Sequence, residues 1–114
     1  MKSKKKAVKL LSMIEKENFK KVVYQKLQSL KEGEYLDIRS YKRNRSVLIV
    51  KLQNSYRFIE NGFRNMDVYL NNLDDVKSAL KTIERVEFPR SHMVRIYKMD
   101  NFDETKINLQ RKKL

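Results

Sequence analysis

The chain has 114 residues, 40% of them hydrophobic and 10% aromatic, enough apolar material for one packed domain and not the composition of a disordered tail. Lys and Arg number 27 against 14 Asp and Glu, a formal net charge of +13, so a polyanionic partner that relieves self-repulsion is expected. With no cysteine, one histidine (His92) and two glycines (Gly33 and Gly62), thiol chemistry, a multi-histidine metal site and a glycine-rich phosphate loop are all excluded.

The start, Met1-Lys2-Ser3-Lys4-Lys5-Lys6, is basic, but no signal-peptide core follows it. No apolar run approaches the ~20 residues of a membrane span. These features predict a soluble cytoplasmic protein with no membrane partner, nucleoid association being left open. Ala7, Leu10, Leu11 and Ile14 recur at helical spacing and predict a first helix. Asn18 ends that helix or caps the next, which carries Phe19, Val23, Leu27 and Leu30 on one face. Lys31-Glu32-Gly33 breaks the pattern, with Gly33 read as the C-terminal cap.

From Glu34 the period becomes two. Tyr35, Asp37, Arg39 and Tyr41 alternate with Leu36, Ile38 and Ser40, which predicts a strand. Lys42-Arg43-Asn44-Arg45 reads as a basic turn, residues 46–53 as a second strand and residues 56–60 as a third. Asn61-Gly62 is a strong hairpin signal, since both residues tolerate positive φ, and a fourth strand is expected over residues 63–70. Asn72 caps a further helix with Asp74 and Asp75 in its first turn. Leu73, Val76, Ala79, Leu80 and Ile83 form its apolar stripe, and Lys77, Lys81 and Arg85 face outward. Phe88-Pro89 stops it, and residues 93–99 alternate as a fifth strand. Residues 100–114 read as a polar tail, either disordered or a short association helix.

The fold class is therefore α+β: an antiparallel sheet of four to five strands packed on one face by helices, in the order α-α-β-β-β-β-α-β. Residues 1–99 are expected to form one domain, which the charge suits to nucleic-acid binding, with a basic helical part over 1–33 and the sheet plus helix over 34–99. The positive excess is not confined to a tail. Residues 1–33 hold ten lysines against three acids, and residues 34–99 hold thirteen basic residues against eight acids.

Alternation sorts the strand residues onto two faces. Leu36, Ile38, Leu48, Val50, Leu52, Met66, Val68, Leu70, Val94 and Ile96 are assigned to the helix-packed face. Tyr35, Asp37, Arg39, Tyr41, Ile49, Lys51, Tyr56, Phe58, Phe63, Tyr69, Arg95 and Tyr97 are assigned to the other, although Ile59 argues for the reverse register of the third strand. Rings interleaved with cations suit a single strand, whose unpaired bases stack for ~1–3 kcal/mol each and whose phosphates need counter-charges. The candidate nucleic-acid-binding residues are Arg39, Tyr41, Lys42, Arg43, Arg45, Lys51, Tyr56, Phe58, Tyr69, Arg90, Arg95 and Tyr97. The competing explanation of the aromatic face is a dimer or intramolecular packing surface, or strand propensity alone. The basic turn and Arg90-Ser91-His92 read equally well as solvated loops. Asp74 and Asp75 are helix-start residues, and no nucleophile, base and orienting group can be assembled, so neither an enzyme nor a cofactor is expected.

Two segments, Lys31-Glu32-Gly33-Glu34-Tyr35-Leu36-Asp37-Ile38-Arg39 with its basic turn and Glu87-Phe88-Pro89-Arg90-Ser91-His92, frame a region that resembles the small archaeal single-stranded DNA-binding proteins related to ThermoDBP. The order of four strands then a helix is also similar to the PUR and Whirly groups. The resemblance implies a sheet whose open face or cleft holds a single strand, in a homodimer or higher assembly, with Arg39, Tyr41, Arg43, Arg45 and Arg90 as carried-over positions. Two N-terminal helices and a fifth strand depart from the PUR and Whirly pattern. The expected partner is single-stranded DNA or RNA. The alternatives are a dimeric regulatory module that contacts duplex DNA through basic N-terminal helices and a component that binds structured RNA.

Overall fold

The computed structural model describes residues 9–40, 45–89 and 93–103. Its elements are β1 (Lys9–Glu15), α1 (Phe19–Gln28), β2 (Tyr35–Ser40), β3 (Ser46–Lys51), β4 (Tyr56–Asn61), β5 (Asn65–Leu70), α2 (Leu73–Glu87) and β6 (Met93–Met99), with a 3-10 turn, Lys16–Asn18, between β1 and α1. The strands form a single six-stranded sheet in the order β1-β6-β2-β3-β4-β5, and every neighbouring pair is antiparallel. No helix among the described residues is long and apolar enough to cross a membrane.

The α+β class with helices on one face is therefore observed, but the first predicted helix is a strand and the strand count is six. β1 pairs with β6 from Lys9↔Lys98 to Glu15↔Met93, and its register shifts between Leu10 and Ser12. A bulge inserts one residue and breaks period two. The Leu10, Leu11, Ile14 spacing then imitates a helix in a run too short for periodicity to separate the two.

The first amphipathic helix is thus α1. Phe19, Val23 and Leu27 are fully buried on its inner face. In α2 the buried stripe is Val76, Leu80 and Ile83, while Leu73, expected in it, is exposed at the first position of the helix; the Asn72 side chain accepts from the Asp75 N–H at 2.8 Å, as the sequence predicts. Both helices cover the sheet face built from Leu36 and Ile38, Val47 and Ile49, Tyr56 and Phe58, and Val94 and Ile96. Burial of each such large apolar side chain contributes about 1.5–3 kcal/mol. Phe19 and Phe88 meet edge to face at 5.7 Å, which ties the start of α1 to the end of α2.

In β3 it is Val47 and Ile49, not Leu48 and Val50, that face the helices, and Lys51 shares their side. Residues 47–50 are all buried, so the run is apolar on both faces and carries no alternation from which register could be read. Gly33 is not a helix cap either. α1 ends at Gln28, and Gly33, at φ +91°, lies in the turn entering β2, where its N–H donates to the Lys51 carbonyl at 2.8 Å.

The Asn61-Gly62 hairpin forms, but around a three-residue loop: Asn61 pairs with Asn65, and the Gly62 N–H donates to the Arg64 carbonyl. β5 accordingly starts at Asn65 rather than Phe63. Among the described residues positive φ occurs only at Gly33 and Asn101, so Gly62 is needed for space and not for a left-handed turn. A Cβ there would run into the Glu87 carboxylate. That carboxylate accepts from the N–H groups of Phe63 at 2.7 Å and Arg64 at 3.0 Å, which anchors the hairpin to the end of α2. Beside it Glu60 is held by a two-pronged bond from Arg64. Burial, and then the hydrogen bond to Glu87, push the Glu60 carboxyl up to about 6 against the weaker pull of Arg64. Glu87 titrates below the usual carboxylate value although burial opposes this, because Glu60 and the two backbone N–H groups donate to its charged form.

Candidate nucleic-acid interface

The sheet face away from the helices is organised in cross-strand rows. One row runs Met99, Tyr35, Val50, Arg57, Tyr69 across β6, β2, β3, β4 and β5. The next runs Tyr97, Asp37, Leu48, Ile59, Asp67, and the third runs Arg95, Arg39, Ser46, Asn61, Asn65. Same-face rows lie about 6.8 Å apart and adjacent strands about 4.8 Å, so three rows span the footprint of a few nucleotides. Leu48, Val50 and Ile59 are buried at the centre, which makes this face a shallow second core rimmed by polar and aromatic groups.

Arg39 and Arg95 stand directly opposite each other on β2 and β6. Arg39 donates from Nε and Nη2 to the two Asp37 oxygens, both at 3.0 Å. Arg57 does the same to Asp67, at 2.9 and 2.7 Å. Arg39 and Arg57 thus each carry a carboxylate partner on the adjacent row, which offsets much of their charge. The Arg57 guanidinium lies over the rings of Tyr69 at 5.4 Å and Phe102 at 5.7 Å. Phe102 packs edge-on against Tyr35 at 5.4 Å, and its N–H is fixed by the Gly33 carbonyl at 3.0 Å. Burial, then the neighbouring Asp37 charge, raise the Tyr35 phenol above its ordinary value.

Of the residues predicted for this surface, Arg39, Tyr69, Arg95 and Tyr97 are on it. Tyr69 is 58% exposed, and Arg39, Arg95 and Tyr97 are half-buried. Tyr56 and Phe58 are not: they are 7% and 2% exposed within the helix-covered core, where the Tyr56 hydroxyl donates to the Leu27 carbonyl. Lys51 goes with them, its ammonium 4.6 Å from the Tyr56 ring centre. All three follow from the β3 and β4 register, the one that Ile59 hinted at. Arg45 donates to the Glu87 carbonyl at 3.0 Å and lies over the Phe63 ring, which makes it an anchor for the end of α2 and not part of the open face. Tyr41, Lys42, Arg43 and Arg90 lie outside the described residues, as do Asn44, Ser91, His92 and the tail beyond Asp103.

Sequence reasoning left Arg57 and Phe102 out of the site. Arg57 could have been found by extending the Ile59 register two residues back. Nothing in the polar tail marks Phe102 except that it is the single aromatic there. Among the described residues, no three His, Asp or Glu side chains converge as a metal site would require. No family model, curated protein or solved structure matches the chain.

Proposed function

We propose that this chain binds single-stranded nucleic acid, DNA by preference, with little sequence selectivity, as a cytoplasmic protein without catalytic activity. Bases stack on Tyr97, Tyr69 and the exposed part of Tyr35, and phosphates are taken by Arg39 and Arg95. The observation carrying this reading is the Arg39–Arg95 pair. Like charges directly opposite each other weaken a sheet, and a bridging phosphate reverses the sign of that interaction. Asp37 holds Arg39 in position, and Tyr97 on the adjacent row with Tyr35 and Tyr69 on the row beyond supply the π surfaces. The resemblance of the sequence to the ThermoDBP-related proteins, and of its four-strands-then-helix order to the PUR and Whirly groups, points the same way.

Fluorescence anisotropy of labelled oligo-dT, oligo-U and duplex DNA at two salt concentrations tests it. Single strands bind more tightly than duplex. Tyr97→Ala weakens binding with little change in salt dependence, whereas Arg39→Ala lowers the slope by about one. Equal or tighter duplex binding, or wild-type affinity in both variants, overturns the proposal.

One observation favours a second reading, a homodimer built on the β5 edge of the sheet. β5 is an edge strand, Met66 and Tyr69 are exposed along it on its two faces, and Phe63 is exposed in the loop before it. Light scattering of the wild type and of Tyr69→Ala separates the two: a dimer that dissociates on substitution while single-strand affinity persists assigns the ring to assembly.

A further inference from the structure

On the opposite side of the molecule α1 and α2 lie against each other beneath a cavity of about 390 Å³, lined by Lys20, Lys21, Tyr24, Lys77, Ser78, Leu80 and Lys81. Four of these seven residues are lysines and none is acidic. Lys77 holds its ammonium 4.9 Å from the Tyr24 ring centre, so the aromatic face turns toward the groove and already accommodates a cation there. Glu17, Asp74 and Glu84 stand about one helical turn from these lysines, yet none of the ion pairs formed among the described residues involves any of the four. Lys77 and Lys81 are four residues apart on one helix face, an arrangement that costs helix stability. Lys20 and Lys21 bring two more positive charges from the facing helix. Four ammonium groups around a concave space, with a serine hydroxyl and an aromatic wall, match a tetrahedral oxyanion carried on an organic group.

We propose that the α1–α2 groove is a binding site for a phosphate-bearing ligand. Lys20, Lys21, Lys77 and Lys81 neutralise the phosphate, Ser78 donates a hydrogen bond to it, and the Tyr24 ring packs against the group that carries it. Its volume lies within the range of small-molecule sites and suits one nucleotide unit. The phosphate comes either from a free nucleotide or from the backbone of a strand. The site is about the helical layer alone and stands independently of the role of the open sheet face.

The test is titration of the full chain with inorganic pyrophosphate, with adenosine 5′-monophosphate and with oligo-dT, followed by calorimetry and by the NMR signals of Tyr24. Lys21→Glu/Lys81→Glu reverses one charge from each helix at exposed positions, and Lys26→Glu/Lys31→Glu, which reverses the same number of charges outside the groove, is the control for bulk charge. The site is established if the double variant weakens at least one probe by about tenfold beyond the control. A loss seen with pyrophosphate or the mononucleotide identifies the free ligand, and a loss confined to oligo-dT identifies a strand. If all three probes respond equally to the double variant and the control, or if saturating probe leaves the Tyr24 signals in place, the proposal is overturned. Arg39→Ala and Tyr97→Ala keep the two sites apart: groove variants that act while these are silent retain the groove and remove the sheet-face reading.

Discussion

The two sides of the molecule carry positive charge in different ways. On the open sheet face Arg39 and Arg57 are each locked into a bidentate pair with an aspartate, and Arg57 is wedged against Tyr69 and Phe102. In the helical groove Lys20, Lys21, Lys77 and Lys81 gather around one cavity with no carboxylate in its lining. A guanidinium fixed by its own carboxylate contributes to stability and presents its remaining N–H groups in one geometry, a device for orientation. Ammonium groups on long flexible stems, left to repel one another, weaken the helices slightly and raise the local potential, a device for attraction. Substitutions on the two sides should therefore differ in sign: removing charge from the sheet face destabilises the fold, and removing it from the groove stabilises it.

The largest effect is expected at Arg57, 9% exposed and the centre of the sheet-face network. Arg57→Ala removes the two-pronged partner of Asp67 and the cation over the Tyr69 and Phe102 rings, which should cost about 2 kcal/mol in chemical denaturation, below the range for a fully buried pair because Asp67 is itself 30% exposed. A loss below about 0.5 kcal/mol would mean that the pair is an ordinary surface salt bridge and would erase the contrast.

Next come two acids that meet where the β4–β5 hairpin is anchored to α2, Glu60 and Glu87. Glu60 titrates near 6 when folded and near 4.5 when unfolded, so the folded state holds the proton more tightly. Its contribution is fully present below 4.5 and is lost as pH rises through 6, about 2 kcal/mol in total. Glu87 shifts the other way, and its contribution, present above 4.5, is lost only in the lower window where it protonates. Glu60→Gln, whose amide can still donate to Glu87, should flatten the denaturation midpoint between pH 4.5 and 7 and leave the fall below 4.5 intact. An unchanged slope between 4.5 and 7 would place the shared proton elsewhere.

How legible these two regions were in the sequence follows from what each depends on. The α2 cap, its buried stripe and the bounds of β6 could be read because Asn72, the Val76-Leu80-Ile83 spacing and a clean alternation each act locally. The fate of Tyr56 and Phe58 could not, because β3 is apolar on both faces and register was decided by long-range pairing with β2 and β4. β1 was hidden by its bulge; the Asn61-Gly62 hairpin was legible, but its three-residue loop, anchored by a carboxylate 25 residues further on, was not. Arg39, Tyr69, Arg95 and Tyr97 were placed correctly because they sit on strands with one apolar and one polar face. The groove was half visible: outward lysines were evident on both helices, but that α1 and α2 bring them around one cavity is a property of the packed layer.

Asp37→Asn tests the sheet face from the opposite direction. It frees Arg39 from a charge partner that is 7% exposed, so the fold should lose about 1 kcal/mol while affinity for oligo-dT rises several-fold. Stability and binding moving in opposite senses is the signature of a cation shared between fold and ligand. A variant weaker in both would assign Arg39 to structure alone.

The smallest effect has the reverse sign. Lys81 has like charges four residues away on both sides, Lys77 and Arg85, against the single opposite charge of Glu84 three residues on, and no aromatic ring holds it as Tyr24 holds Lys77. Lys81→Gln keeps the helix propensity and removes one ammonium from the groove, so α2 should gain about 0.3 kcal/mol. Thermal unfolding at low ionic strength should resolve the gain, and added salt should abolish it, since screening removes the same repulsion in the wild type. Pyrophosphate should do likewise at far lower concentration than chloride if the groove holds a phosphate. A destabilised Lys81→Gln protein would mean that the attraction to Glu84 outweighs both repulsions, and the groove would then hold no repulsion in reserve for a ligand to relieve.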